Sequence, residues 1–243
     1  MVHRPDPSTA KPVAVITGGS QGLGLALAEG LAEAGWALVL DARRSDRLDT
    51  AAAELARVTD VIAVPGDVTD PDHRRALADA AARLGPVGLL VNNASTLGTS
   101  PLPQLHDLDP DLWHRIFDVN VVAPIALVRE LDGQWADRAT VINITSDAGV
   151  EAYETWGGYG SSKAALEHAS RVLAAERADL RVLVVDPGDM RTEMHQDAFP
   201  GEDISDRPEP DAAVPGLTAL ITGEQPSGRY EARALVTAAP RQL

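Results

Sequence analysis

Short apolar runs alternate with longer amphipathic segments along most of the chain. An uninterrupted apolar run is typical of a strand buried on both faces, whereas apolar positions spaced about 3.6 residues apart are typical of a helix packed on a sheet. The apolar runs predict strands at residues 13–17, 36–40, 61–64, 88–91, 140–145 and 180–185. The segments between them predict helices at residues 25–34, 46–58, 71–84, 109–131 and 159–178. This alternation predicts an α/β fold whose parallel sheet is covered by helices on both faces.

The alternation continues without a break as far as the sixth strand, which indicates a single domain. Residues 1–11 are polar and include two prolines, so we expect a flexible N-terminal arm before a domain that spans residues 12–239. Residues 187–210 are rich in Pro, Gly, Asp and Glu and show no periodicity. Beyond them the pattern predicts a helix at residues 211–222 and, from a weaker signal, a strand at residues 230–236.

The composition narrows the classes of function. A formal charge of −15 argues against a nucleic-acid partner, because a phosphate backbone would be repelled. The chain has no cysteine, which excludes disulfides, thiolate catalysis and cysteine zinc sites, and its six histidines show no ligand-type spacing, so we predict no metal site. We find neither the apolar core of a signal peptide nor a membrane-spanning run, and therefore expect a cytoplasmic protein without a membrane partner.

The stretch from Ser146 to Lys163 carries the clearest candidate chemistry. Tyr159 and Lys163 are four residues apart on a predicted helix, so their side chains leave the same face one turn apart. An ammonium beside a phenol favours the phenolate, so we expect a lowered tyrosine pKa and proton exchange near neutral pH. Ser146 ends an apolar run and is placed to hold a substrate oxygen. Taken singly, each residue has a structural alternative: a turn serine, a packing tyrosine and a solvated helix lysine.

A glycine-rich turn, Thr17-Gly18-x-x-x-Gly22-x-Gly24, falls between the first predicted strand and the first predicted helix. Glycines let the backbone approach a pyrophosphate, and the helix N-terminus offers unpaired N–H groups and a positive dipole end. The alternative is a glycine-rich βα turn that binds no ligand.

Taken in order, these motifs and several others resemble the short-chain dehydrogenase/reductase family over nearly all of residues 12–239. The matching residues are Thr17 to Gly24, Asp67-Val68, Asn92-Asn93-Ala94, Asn120, Ser146, Tyr159-x-x-x-Lys163 and Pro187-Gly188-x-x-x-Thr192. The resemblance implies a single-domain, Rossmann-like, doubly wound parallel sheet. It also implies hydride transfer between a nicotinamide and a small alcohol or carbonyl substrate.

The resemblance implies roles for four catalytic residues. Tyr159 is the general acid in reduction and the general base in oxidation, and Lys163 lowers its pKa and bonds the nicotinamide ribose. Ser146 bonds the substrate oxygen. Asn120 holds a water that links Lys163 to solvent in a proton relay.

The resemblance also implies a set of cofactor-binding residues. The glycine turn holds the pyrophosphate, Asp67 and the Val68 backbone meet the adenine, and Pro187-Gly188 and Thr192 meet the carboxamide. Where most members continue the Asn-Asn-Ala segment with glycine, this chain has Ser95. The full set is Thr17, Gly18, Ser20, Gln21, Gly22, Leu23, Gly24, Ala42, Arg43, Asp67, Val68, Asn93, Ala94, Tyr159, Lys163, Pro187, Gly188 and Thr192.

The choice between NADP(H) and NAD(H) depends on the end of the second strand. Relatives that prefer NAD carry an acid at the position of Ala42, and those that prefer NADP carry arginine at the position of Arg43. Asp41 is one place early, and alternation along a strand directs it to the other face. We therefore favour NADP(H), with NAD(H) as the alternative, in which Arg43 is a solvated loop charge.

Assembly and substrate are also expectations drawn from the resemblance. Helices 109–131 and 159–178 pair across a two-fold interface in the family, so we expect a homodimer or homotetramer. Residues 187–210 are expected to form a lid over the substrate. The alternatives are an epimerase or dehydratase of the same fold, and a non-catalytic protein that binds or senses the cofactor.

Overall fold

The computed structural model describes residues 11–237, in which seven parallel strands form one sheet. The spatial order is β3-β2-β1-β4-β5-β6-β7, so the chain reverses its direction of travel across the sheet between β1 and β4. Ligands of open α/β sheets bind at such a reversal, outside the carboxyl ends of the strands. The strands are β1 Val13–Ile16, β2 Ala37–Ala42, β3 Val61–Pro65, β4 Val87–Asn92, β5 Trp135–Ile144, β6 Arg181–Asp186 and β7 Gly228–Glu231.

Nine α-helices in the described range connect and cover these strands. They are α1 Gly22–Glu33, α2 Ser45–Leu55, α3 Pro71–Leu84, α4 Pro110–Phe117, α5 Ala123–Glu130, α6 Gly157–Glu176, α7 Glu193–Ala198, α8 Val214–Thr222 and α9 Ala232–Thr237. Two helix starts follow directly from the sequence, because Asp70 and Asp109 cap α3 and α4 and a proline follows each of them. No helix within residues 11–237 is both long and apolar enough to cross a membrane.

Successive residues of each strand pack on opposite faces of the sheet. Ala14 and Ile16 of β1 join an apolar cluster with α1, α2 and α8, whereas Val15 joins a cluster with α3, α5 and α6. Because both faces are covered, the central strands consist mostly of apolar residues. The prediction of a parallel α/β sheet with helices on both faces is confirmed.

Three predicted segments differ from the structure: the helix at 109–131, the strand at 230–236 and the irregular stretch at 187–210. A π-helical turn at Asp118–Val122 divides the predicted helix 109–131 into α4 and α5. The predicted strand 230–236 is instead β7, which pairs with β6 only as far as Glu231 and continues as α9. The strand ends there because β6 itself ends at Asp186, and the buried Ala232 begins α9 against α8.

The predicted irregular stretch 187–210 contains a short helix, α7, at Glu193–Ala198. Thr192 caps it by accepting a hydrogen bond from the His195 amide at 3.1 Å. Of the predicted N-terminal arm, only Lys11 is described, and it pairs with Asp60 at 3.0 Å. Residues 1–10 and 238–239 lie outside the described range.

Candidate active site

A cavity of about 860 Å³ opens at the carboxyl ends of the strands, where the strand order reverses. It runs from Arg43 and Arg44 past the glycine turn to Trp156 and Phe199. All but three of the predicted site residues line it. Thr17, Gly24 and Asn120 are the exceptions, and they act on the cavity wall from behind.

Thr17 and Asn93 fix the glycine turn to the end of β4. The Thr17 hydroxyl accepts hydrogen bonds from the amides of Asn93 and Ala94, both at 3.0 Å. In return, the Asn93 side chain donates to the carbonyls of Thr17 and Gly18 at 2.9 and 3.2 Å. A Cβ on Gly24 would lie 2.3 Å from the Gly18 carbonyl oxygen, so only glycine lets the helix start this close to the turn.

The helix α1 begins at Gly22 with its first amides facing the cavity, and no side chain within residues 11–237 caps it. Uncapped N-terminal amides can hold an anion. The Gln21 side chain turns outward and donates to Glu193 of α7 at 3.1 Å. Arg47 of α2 pairs with the same carboxylate at 2.8 Å. Glu193 therefore ties α7 to the rim of the glycine turn and to α2.

At the far end of the cavity, Asp41 faces inward, as strand alternation predicted. It is 1% exposed, accepts from the Gly18 amide at 2.8 Å, and contacts His73 Nε2 at 2.9 Å. Arg43 is exposed at the cavity edge and pairs with no acid in the described part of the chain.

Asp67 and Val68 line the same end, and both carboxylate oxygens of Asp67 and the Val68 carbonyl already have protein partners. One Asp67 oxygen accepts from the amide and hydroxyl of Thr69, and the other pairs with Arg115. Burial alone would raise the pKa of Asp67, but these hydrogen bonds and the Arg115 charge lower it to about 2. The Val68 carbonyl accepts from Arg74 at 2.7 Å. Asp67 is therefore held ionised and in a fixed orientation.

Tyr159 and Lys163 lie on α6 at the opposite end, and they are 9% and 2% exposed. Lys163 donates from Nζ to the Ile144 carbonyl at 2.8 Å and lies 5.3 Å from the centre of the Tyr159 ring. Burial lowers the pKa of Lys163 from 10.5 to about 8. The ammonium thus sits against the face of the ring and bonds a backbone oxygen.

The expected lowering of the Tyr159 pKa is wrong for this structure. Burial raises the pKa of Tyr159, and the negative charge of Asp186 raises it further. Hydrogen bonding between the phenol and the hydroxyls of Ser95 and Ser146 opposes the rise without cancelling it. The sign differs from the expectation because burial and the charges of Asp186 and Asp147 dominate, and spacing along the helix reveals neither.

Ser146 lies just after the end of β5, near Tyr159, and its hydroxyl donates to Asp147 at 2.8 Å. The other oxygen of Asp147 accepts from the Tyr153 hydroxyl at 2.9 Å. Although burial would raise the pKa of Asp147, the hydrogen bonds from Ser146 and Tyr153 lower it. The carboxylate therefore fixes the direction of the Ser146 proton and leaves the serine oxygen to accept a hydrogen bond.

Asn120 lies in the π-helical turn, is 1% exposed, and has no free hydrogen-bonding position on its side chain. Its amide donates to the Thr96 carbonyl and to Ser162, both at 2.9 Å. Its oxygen accepts from the Thr96 amide at 2.9 Å and from Ser95 at 3.1 Å. All four side-chain sites of Asn120 are used to hold the loop after β4, so the predicted relay water would have to bind its main chain, and that role stays a prediction.

Behind the predicted carboxamide segment lies a buried network of charges. Asp186 accepts from the Gly188 amide at 2.8 Å and from Arg229 at 3.1 Å. Arg229 also donates to Glu167 at 3.1 Å, and Glu167 accepts from Thr145 at 2.8 Å. Arg229 of β7 thereby braces both the Pro187-Gly188 turn and the strand end that carries Ser146.

The remaining wall of the cavity is aromatic and apolar. The Trp156 ring lies 5.7 Å from Tyr159 and 5.8 Å from Phe199, measured between ring centres. Met190 and Met194 line the same region. A wall of this kind favours an apolar ligand next to the Tyr159 phenol.

Several residues of the site escaped the sequence patterns: Asp41 as a buried partner, His73, Ser95, Asp147 and Arg229. Each acts through a partner on another element of the fold. Only Ser95 gave a signal, since it replaces the glycine that most members of the resembled family have there.

Comparison with known proteins agrees with this geometry. The family model described as short chain dehydrogenase matches residues 12–203. The chain belongs to the short-chain dehydrogenase family. A rhamnolipid-biosynthesis 3-oxoacyl-(acyl-carrier-protein) reductase of Pseudomonas aeruginosa is 35% identical over 191 residues, which cover 74% of this chain and 73% of the relative. The protein is therefore an oxidoreductase of this family.

Solved structures of the family superpose closely. A short chain dehydrogenase from Salmonella enterica serovar Typhi gives a TM-score of 0.83 at 26% identity and covers 95% of this chain and 100% of its own. An alcohol dehydrogenase from the archaeon Thermococcus sibiricus, complexed with 5-hydroxy-NADP, gives a TM-score of 0.80 at 26% identity and covers 91% and 95%.

Nicotinamide dinucleotides are the typical cofactors of the family, and the cavity fits one. The close approach of Gly18 and Gly24, the uncapped amides of α1, and the length of cavity between Arg43 and Tyr159 are the features such a ligand requires.

Proposed function

We propose that the protein transfers hydride between NADP(H) and a small alcohol or carbonyl compound, with Tyr159 as the general acid or base. The observation that carries this proposal is the buried Tyr159–Lys163 pair in the cavity that also contains the glycine turn. Ser95 and Ser146 are within hydrogen-bonding reach of the phenol.

The side chains divide the proton chemistry between them. Hydride donation and acceptance would be the chemistry of a nicotinamide held in the cavity. In reduction, Tyr159 donates its phenolic proton to the carbonyl oxygen, and in oxidation it takes the proton back. The raised pKa of Tyr159 keeps the phenol protonated, which suits the reducing direction. Ser146 turns its hydroxyl from Asp147 to donate to the substrate oxygen, and the Lys163 charge stabilises the phenolate that reduction leaves.

The preference for NADP(H) over NAD(H) rests on the far end of the cavity. Arg43 is exposed there without an acidic partner in the described residues, so it is free to pair with a 2′-phosphate. Asp41, the acid nearest the position that would bond a ribose 2′-OH, is buried and fully engaged. The Thermococcus relative, whose structure holds 5-hydroxy-NADP, adds support.

The substrate class and the setting of the enzyme are part of the same proposal. Residues 187–210 form the lid, with α7 facing the cavity. The aromatic wall favours a substrate with an apolar body. We place the enzyme in the cytoplasm as a homodimer or homotetramer, the arrangement common in the family.

Absorbance at 340 nm, followed with NADPH and a panel of ketones and with NADP⁺ and a panel of alcohols, tests the function. Tyr159→Phe should lower kcat by roughly 10²–10⁴-fold, because it removes the transferable proton, while Kd for NADPH changes less than about two-fold. Tyr230→Phe is the matched control, since Tyr230 lies on β7 outside the cavity wall and its hydroxyl donates to the Pro226 carbonyl. Full turnover in Tyr159→Phe would refute the catalytic assignment. NADPH binding without turnover of any compound would favour a cofactor sensor instead.

A further inference from the structure

Asp41 and His73 form a buried ionisable pair beneath the glycine turn. Asp41 belongs to β2 and His73 to the first turn of α3, and they are 1% and 8% exposed. Each carboxylate oxygen has one partner: the Gly18 amide at 2.8 Å and His73 Nε2 at 2.9 Å. A buried carboxylate is costly unless it is paired and hydrogen-bonded, so His73 is needed to keep Asp41 in this position.

Three cofactor-facing segments meet at this pair. Asp41 holds the glycine turn through the Gly18 amide, and it lies two residues before Arg43 on the same strand end. His73 packs against Gly66, where a Cβ would lie 2.3 Å from His73 Nδ1. The Gly66 amide in turn donates to the Ala42 carbonyl at 3.0 Å. The pair therefore sets the relative positions of the turn, the Arg43 segment and the segment that leads to Asp67.

Asp41 also lines the cavity, so its orientation has a consequence for the ligand. With its carboxylate turned towards His73, Asp41 leaves Arg43 as the charged group at the edge of the cavity. With the carboxylate turned into the cavity, Asp41 would accept a hydrogen bond from a ribose 2′-OH and repel a 2′-phosphate.

We propose that Asp41 and His73 are a positioning pair that holds the Asp41 carboxylate away from the ribose and thereby makes the adenosine end selective for a 2′-phosphate. The inference rests on the proposed use of NADP(H). His73 acts here through Asp41 and touches no part of the cofactor.

The test compares two substitutions of His73 by direct binding. His73→Leu removes the partner of Asp41, whereas His73→Gln places an amide N–H close to the position of Nε2. Kd is measured by titration for NADPH and NADH, and for adenosine 2′,5′-bisphosphate and 5′-AMP, which report the adenosine end alone. We expect His73→Leu to lower the ratio of NADPH to NADH affinity about ten-fold, and His73→Gln to keep it within about two-fold.

A double variant separates positioning from general damage to the fold. In His73→Leu with Asp41→Asn, no carboxylate remains to repel the 2′-phosphate, so the preference for NADPH should return to within about three-fold of wild type. Circular dichroism melts establish that each variant is folded. If His73→Leu does not fold, Asp41→Asn combined with His73→Gln should still keep the wild-type ratio, and a loss of the ratio there would count against the pair.

The outcomes separate this inference from the function it rests on. An unchanged affinity ratio in His73→Leu, or no recovery in the double variant, would overturn the positioning pair while leaving the enzyme assignment intact. A wild-type protein that binds neither dinucleotide, or that prefers NADH, would instead overturn the proposed function.

Discussion

The two ends of the cavity differ in whether their buried charged side chains are paired with another side chain. At the adenosine end, each buried or half-buried acid has a partner on a neighbouring element, Asp41 with His73 and Asp67 with Arg115. At the reacting end, the Lys163 ammonium is buried against a backbone carbonyl and an aromatic ring. Consequently the pKa of Asp67 moves away from neutrality, whereas that of Lys163 moves towards it.

The difference matches the roles that we propose for the two ends: the paired acids at one end hold a ligand in place, and the groups at the other end take part in the reaction. Pairing with Arg115 keeps Asp67 ionised, although burial raises the pKa of Asp41 in spite of its bond to His73. Lys163, which has no acidic partner among residues 11–237, is closer to its point of titration, whereas the Tyr159 phenol is held protonated. The two kinds of site are built at opposite ends of the same strand edge.

The largest expected effect is the loss in the free energy of unfolding that comes from burying the Lys163 charge. Its pKa is about 8 in the fold and 10.5 ordinarily, so below pH 8 both folded and unfolded chains carry the proton and burial of the charge costs about 3 kcal/mol. Between pH 8 and 10.5 the folded chain has released a proton that the unfolded chain still holds, so stability should rise with pH. In Lys163→Met this rise should disappear.

Urea unfolding at pH 7 and pH 9.5 measures this effect, with stability compared between wild type and variant at each pH. Lys11→Met is the control, because it removes the chain's other lysine, which is paired with Asp60 at the surface. If wild type and Lys163→Met show the same dependence on pH, Lys163 does not carry a depressed pKa, and the contrast between the two ends fails.

The next effect tests the adenosine end. Arg43→Ala should lower the ratio of kcat/KM with NADPH to kcat/KM with NADH by roughly ten-fold, because one charge-assisted contact to the 2′-phosphate is lost. Steady-state kinetics with each cofactor measure it. Arg57→Ala, which breaks a surface pair with Glu54, serves as the control. A preference that survives Arg43→Ala would mean that this arginine is only a solvated charge.

The smallest effect tests the tuning of Tyr159. Asp186→Asn removes a negative charge that raises the pKa of Tyr159 and keeps an acceptor for the Gly188 amide. Because alcohol oxidation needs the phenolate, its rate rises with pH as Tyr159 ionises, and this rise should move to lower pH by about half a unit to one unit. Asp189→Asn is the comparison variant. A profile that does not move would show that burial alone sets the tyrosine pKa.

The sheet was predictable because its rule is local. The central strands are buried on both faces, so an unbroken apolar run such as residues 13–16 identifies a strand without knowledge of its neighbours. Glycine spacing and the Tyr159–Lys163 interval are likewise local, and Gly18, Gly22, Tyr159 and Lys163 line one cavity.

What could not be predicted depends on pairs formed between distant elements. Nothing near His73 in the sequence indicates that it meets Asp41, since the contact depends on how α3 packs beneath β2. The sign of the Tyr159 pKa shift required the position of Asp186 on another strand. The π-helical turn around Asn120 depends on its bonds to Thr96 and Ser162.

The contacts of Glu193 with Arg47 and Gln21 have a consequence for the mobility of α7. One carboxylate joins α7 both to the rim of the glycine turn and to α2, so α7 cannot move away from the cavity without breaking an ion pair and a hydrogen bond together. Because both charged side chains are partly exposed to solvent, salt screens this ion pair, and the hold on α7 should weaken as ionic strength rises.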